Sequence, residues 1–324
     1  MHWTSDPEQA GGWLRERLRD DLGGDMHSVV PRGFEAYARV FHPPAVRSLP
    51  DRPVPTMDEW MRLPGAEQQR LMDLFDDRAT TWAATAEAFG TTMHPLAQWA
   101  RIVRTPPGED WNTRIAPDGR EFTSPAEGQL EPSLLAAVTA HLVAHTSSPD
   151  GGFAAVWEGW GGLVGALGEG NGRTFLEFTD EPAHEKVLRE SLLDRFNNPF
   201  RKPTWHPGIL DDDVSRGARL SLPAREHVLF AAAPAVFADP DWILAAPWRD
   251  REAEAHGFPP SAQHPSLIWP ADQAWVLVSE IDFDSTIIAG SAALVRALCA
   301  DQRIEALPIR EGSDLHWDAD EINR

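Results

Sequence analysis

One cysteine, Cys299, stands among 324 residues, so no intrachain disulfide can form and a disulfide-stapled scaffold is excluded. Its apolar, helical surroundings predict an inert thiol. There is one tyrosine, Tyr37, and only two lysines, Lys186 and Lys202. Neither lysine follows a glycine-rich loop, which removes a Walker A phosphate site. No G-x-S-x-G, H-E-x-x-H or C-x-x-C occurs, which removes the common serine-hydrolase elbow and the usual zinc sites but leaves other hydrolases open. No apolar run approaches the roughly 18 residues of a membrane-spanning helix. Met1 to Gln9 carries neither a basic start nor an apolar stretch, so no signal peptide is expected and the cytoplasm is the expected compartment. No internal repeat and no cofactor motif is found, and no cofactor is expected.

What is present is acid. Fifty Asp and Glu face 29 Lys and Arg, a formal net charge of −21. Such a field repels polyanions, which argues against nucleic acid and anionic membranes and suits a basic partner protein. Of the 29 cations, 27 are arginines, a bias that, with abundant Ala, Pro and Trp, reads as a GC-rich genome. Hydrophobic residues make up 42% of the chain, enough for a large core.

The periodicity is mixed. Trp13 to Leu22, Met57 to Leu74, Thr81 to Phe89, Pro95 to Val103 and Glu131 to His145 read as helices, the last with Leu134, Leu135, Val138 and Leu142 inward. Phe34 to Phe41, Phe153 to Trp160, Thr174 to Phe178, Glu226 to Ala231 and Ile304 to Ile309 read as strands. Thr179 and Asp180 are expected to cap a helix to Phe196. Residues 104 to 132, rich in Pro, Gly and Asp, read as an irregular connection with at most a short strand near Glu121 to Thr123. About six strands without βαβ alternation imply an α+β fold: a mixed, mostly antiparallel sheet with helices packed on it. Strands in both halves of the chain imply a single intermixed domain over 1–324, with a boundary inside 104–132 as the alternative.

Residues 264 to 295 are the most ordered stretch. Trp269-Pro270 forces extended backbone, Asp272 suits an Asx turn, and Trp275 opens a strand expected to run to Asp284, followed by an apolar helix. Period two would put Glu280, Asp282 and Asp284 on one face, about 6.5–7 Å apart, where they would hold a divalent cation or supply an acid and a base. Pairing with arginines, Arg39 among them, is the structural alternative. Trp269 and Trp275 would flank a flat ligand or pack in the core, as would Trp157 and Trp160 beside the glycine-rich run Gly161 to Gly172. His141 and His145, four apart on a helix, would share a metal or complement the helix C-terminus. The expected ligand-binding set is therefore Trp157, Trp160, Trp269, Asp272, Trp275, Glu280, Asp282 and Asp284, with no catalytic or metal residue assigned.

In the same segment, Trp269-Pro270 with Asp272 and Trp275, then Glu280-Ile-Asp282, Ser285-Thr286 and Gly290-Ser291, resembles a family of tryptophan-rich acidic proteins from high-GC actinobacteria. Phe34 to Pro43 and Val156 to Gly161 are similar to that family's earlier segments. The resemblance covers three short blocks and implies no activity. The expectation is an acidic binding or regulatory protein engaging a basic protein or small ligand, an immunity-type or antitoxin-type inhibitor being one form. The alternative is a metal-assisted hydrolase using the three carboxylates.

Overall fold

The computed structural model describes residues 1–20, 25–167, 205–223 and 225–324. The expected strand Thr174 to Phe178, the helix to Phe196, both lysines and the end of the glycine-rich run lie outside the described residues. In chain order the strands are β1 (His2–Trp3), β2 (Ala36–Phe41), β3 (Ala45–Ser48), β4 (Asp76–Ala79), β5 (Thr113–Ile115), β6 (Glu121–Thr123), β7 (Gly152–Trp157) and β8 (Ala166–Leu167). There follow β9 (Trp205–His206), β10 (Leu220–Ser221), β11 (Glu226–Ala231), β12 (Leu267–Pro270), β13 (Val276–Val278), β14 (Ser285–Gly290) and β15 (Ala306–Ile309).

Nine of these strands form one antiparallel sheet in the order β1-β11-β7-β12-β13-β14-β2-β15, with β10 beside β1 on the outer edge of β11. The α+β expectation holds, with more strands than the sequence suggested. The early strand β2 lies between the late strands β14 and β15. Pro308 sits on the edge strand β15, where a missing N–H does least harm to the ladder.

Both faces of this sheet are covered, which explains its apolar central strands. One face, with Val40, Val156, Phe230, Ile268, Trp275, Leu277 and Ile288, packs against helices Pro132–Val143 and Ala292–Ala300 and the turns carrying Phe237, Trp242 and Trp248. Leu135, Val138 and Leu142 recur at helical spacing and are fully buried there. The opposite face, with Tyr37, Leu229, Leu267, Trp269, Val276, Val278 and Ile287, is covered by helix Pro7–Glu16, Met26, Val30 and Leu315. Strand β7 is small-residue rich at its middle, and Gly152 has no room for more: an added Cβ would lie 2.4 Å from the Trp269 carbonyl oxygen.

Between β2 and β7 the chain builds a second sheet, β4-β3-β6-β5. Its inner face joins Val46 and Phe122 to Trp82, Phe89, Trp99 and Ile102 of two short helices, with Phe41 of β2 in the same cluster. The expected irregular connection at 104–132 thus contains the β5–β6 hairpin, and β6 pairs back to β3. The expected helix Met57 to Leu74 is two, Met57–Arg62 and Gly65–Met72. Pro64 explains the break, because it drives Leu63 into extended backbone at ψ 142°. Three ties join this sheet to the main one. Arg39 donates to the carbonyls of Ala97 (2.8 Å) and Pro95 (3.2 Å), and the Trp82 indole donates to the His42 carbonyl (2.8 Å). Glu305 accepts from the backbone of Trp82 and Ala83 at a helix N-terminus (2.6 and 2.8 Å).

Candidate functional site

The ordered stretch at 264–295 is a β-meander, not one long strand and a helix. Strand β13 ends at Val278, the Phe283 N–H closes a turn on the Glu280 carbonyl at 2.9 Å, and β14 returns. The expected helix begins only at Ala292, capped by Ser291. Glu280, Asp282 and Asp284 therefore occupy a hairpin loop and do not share a strand face. Arginines take all three. Arg225 donates to Glu280 (2.7 Å) and Asp282 (2.5 Å), and Arg39 donates to Asp284 (3.0 Å). Burial pushes the Glu280 carboxyl above its ordinary range, with Arg225 pulling against it.

Arg225, which the sequence reading did not single out, is the residue that brings part of the expected set together. Its guanidinium lies 5.0 Å from the centroid of the Trp157 ring, and Trp160 meets Trp157 edge-on at 5.7 Å. Trp157, Glu280 and Asp282 thus converge on one cation, with Trp160 behind Trp157, and Arg225, Glu280 and Asp282 line a cavity of about 150 Å³ with Asp25, Phe283 and His316. The other members lie elsewhere. Trp269 packs between Trp13 (6.5 Å) and Phe153 (5.6 Å) on one face of the main sheet. Trp275 is fully buried on the opposite face, so the two indoles form no common wall. Asp272 accepts from Ala274 N in the expected Asx turn (3.2 Å) and from Thr146 and Ser147 of the loop after helix Pro132–Val143 (2.7 Å). His145 donates to the His141 carbonyl (2.8 Å), the helix-end role, whereas His141 bonds Asp301 (2.9 Å) instead. Among the described residues, no three His, Cys, Asp or Glu side chains converge as a metal site.

A much larger concavity lies on the outer face of the small sheet, a cleft of about 1190 Å³. Its floor follows from register: Arg47 of β3 stands between Asp77 of β4 and Glu121 of β6, with Ala45 and Thr123 one step along. Arg47 donates twice to Asp77 (2.7 and 2.9 Å) and lies 3.7 Å from Glu121. Its guanidinium also lies 4.5 Å from the Phe75 ring centroid. That ion pair holds the Asp77 carboxyl below its ordinary range, while burial pushes Glu121 up. The wall is the broken helix pair, which contributes Met57, Trp60, Met72 and Phe75. Trp60 and Phe75 meet at 5.9 Å.

The apolar wall is poorly covered: Met57 and Met72 are 73% and 57% exposed. Met61, Leu74 and Trp111, each next in sequence to a lining residue, are also exposed. Apolar side chains gathered in one place mark an interaction surface more often than scattered ones do. Sequence reading missed it because Met57 to Leu74 was taken as one helix; the signal in the sequence was Pro64.

Comparison with known proteins gives no matching family model, no similar curated protein and no similar solved structure.

Proposed function

We propose that this chain is a binding protein whose cleft on the small sheet takes a basic, partly apolar segment of another protein. The observation that carries this reading is the exposure of Met57 and Met72 on the wall of one large cleft, beside Trp60 and Phe75, whose lining also carries Asp77, Asp110 and Glu121. Residues 57–77 hold six carboxylates, Asp58, Glu59, Glu67, Asp73, Asp76 and Asp77, against two arginines, Arg62 and Arg70. Cations are attracted to such a rim, and methionine adapts its shape to varied apolar partners. The volume, about 1190 Å³, exceeds the roughly 300–1,000 Å³ of ordinary small-molecule pockets, which favours a polypeptide over a small ligand. The overall charge of −21 acts in the same direction, and the single cysteine suits the cytoplasm. The metal-assisted alternative has less support, because its three carboxylates are engaged by Arg225 and Arg39.

The test is a panel of immobilised synthetic peptides, basic with interspersed apolar residues, set beside acidic counterparts. Basic members should bind in low salt, weaken as salt rises, and lose most of their binding to Trp60→Ala and to the Met57→Ser, Met72→Ser double variant. Equal binding by those variants, or preference for the acidic peptides, would contradict the reading.

A further inference from the structure

The cleft ends at an unpaired strand. β4 is the outermost strand of the small sheet, and all four of its residues, Asp76 to Ala79, are exposed. The phase of its ladder fixes which backbone groups face outward. Thr80 N donates to the Pro44 carbonyl at 2.8 Å, one step beyond the Ala45–Ala79 pair. Hydrogen-bonded and non-bonded pairs alternate in an antiparallel ladder, so Val46–Arg78 is the next bonded pair and Ala45–Ala79 and Arg47–Asp77 are not. The N–H and C=O of Asp77 and Ala79 therefore point away from β3, into solvent. The side chains of the same two residues share the face that carries Arg47, Ala45, Glu121 and Thr123, the floor of the cleft.

We infer that the partner segment binds in extended form, as a fifth strand hydrogen-bonded to Asp77 and Ala79 of β4, with alternate side chains directed to the cleft face. This rests on the cleft being the binding surface and specifies how it is used. Strand addition gives affinity through main-chain bonds and specificity through every second side chain, so the partner it selects alternates basic and apolar residues. With the apolar members on the cleft face, against the Phe75, Met72 and Trp60 wall, the cations fall on the opposite face of the sheet, the face that carries Asp76. A short charged edge strand is also an ordinary guard against aggregation. That role leaves the adjoining uncovered apolar wall unexplained, whereas an added strand uses both. A second copy of this chain is a poor occupant, because it would bring the same carboxylates opposite Asp76 and Asp77.

The probe is an alternating lysine–valine peptide of about eight residues, a common strand length, titrated into the full chain at low salt by calorimetry. Two companions share its composition: one N-methylated at alternate amides, the other with valines at helical spacing. Expected is binding of the alternating peptide that weakens by about tenfold or more, roughly 1.4 kcal/mol, on N-methylation. The Ala79→Pro variant, which deletes an outward N–H that β3 does not use, should show a similar loss. The N-methylated peptide acts on the unaltered protein, so the inference stays testable even if Ala79→Pro folds poorly. Equal binding of the N-methylated peptide, or tighter binding of the helical isomer, overturns strand addition. If that binding is still lost in Trp60→Ala, the cleft reading stands while this inference falls. Absence of binding by all three peptides overturns strand addition, and the separate peptide panel decides the cleft.

Discussion

Three acidic residues with the same sequence spacing have three different environments. Asp284 holds Arg39, a guanidinium 1% exposed that also bonds Ser285 and two backbone carbonyls and stacks 4.6 Å from the Phe41 ring. Removing a carboxylate from a buried pair leaves the partner charge uncompensated, at a cost of about 3–5 kcal/mol. Asp284→Ala should therefore lower the urea midpoint steeply, whereas Asp282→Ala, whose side chain is 71% exposed, should change stability by under about 1 kcal/mol. Comparable midpoints for the two variants would show that burial does not separate them. Glu280 is the most buried of the three, 8% exposed and tied to Arg225. In Arg225→Met the desolvated Glu280 carboxylate loses its compensation, raising its pKa further. A raised folded-state pKa contributes stability below the unfolded value near 4.5 and loses it as pH rises. The deficit of that variant relative to the parent should therefore be smaller at pH 5 than at pH 7.5, and an equal deficit at both would remove this role for Arg225.

At the scale of elements, the loop carrying these carboxylates is held from outside as well as by its own turn. Gly128 donates its N–H to the Phe283 carbonyl at 2.8 Å and sits at φ +69°, where an added Cβ would approach Ile281 Cα to 2.6 Å. Gly128→Ala combines left-handed strain with a backbone clash, so a loss of about 2–3 kcal/mol is expected, read as a lowered thermal midpoint. An unchanged midpoint would mean that the loop is not held there. The same comparison shows what was legible. Glu226 to Ala231 matches the strand read from the sequence, and the short strand at Glu121 to Thr123 was also anticipated. Both are bounded locally, by turn residues and by a change in polarity. The ten-residue strand from Trp275 to Asp284 was not legible. An alternating pattern continues unchanged through a tight turn, and the reversal depends on contacts with Gly128 and His42, more than 150 and 240 positions away.

At the scale of the whole molecule, three histidines among the described residues, His42, His227 and His264, are buried in the neutral form. Burial pushes His42 and His227 down to about 4 and His264 to about 3. His42 donates Nδ1–H to the Ala126 carbonyl (2.6 Å), so neutral Nε2 accepts from Thr286 (2.9 Å), which in turn accepts from Ser279. The unfolded chain takes up these protons near pH 6.5 and the folded chain does not. Stability is therefore fully kept above pH 6.5 and falls as pH drops toward 4, by about 1.4 kcal/mol per group per pH unit. Glu280 and Glu305, held high by burial, oppose this over the lower part of the window. The denaturant midpoint should fall between pH 7.5 and 5, and the fall should shrink in His264→Gln. A midpoint independent of pH would rule out the three histidines as the cause. Protonation of the His42 relay would also reverse its hydrogen bond to Thr286, at a point where strands β13 and β14 meet the end of β2.

The sequence by itself determined the fold class, the acidic field, the absence of a disulfide framework and several elements whose boundaries are local. It also supplied the two alternatives for the carboxylates, cation site or arginine pairing. Only the tertiary structure decided between the partners. Arg39 and Arg225 reach Asp284 and Glu280 from 245 and 55 positions away. The cleft at Trp60 and Phe75 was decided there too, since it exists only because Pro64 breaks a helix and β3 to β6 close a second sheet beneath it. Composition and period report what a residue prefers within a few neighbours. Charge pairing, concavity and a free strand edge depend on which distant segments pack against one another.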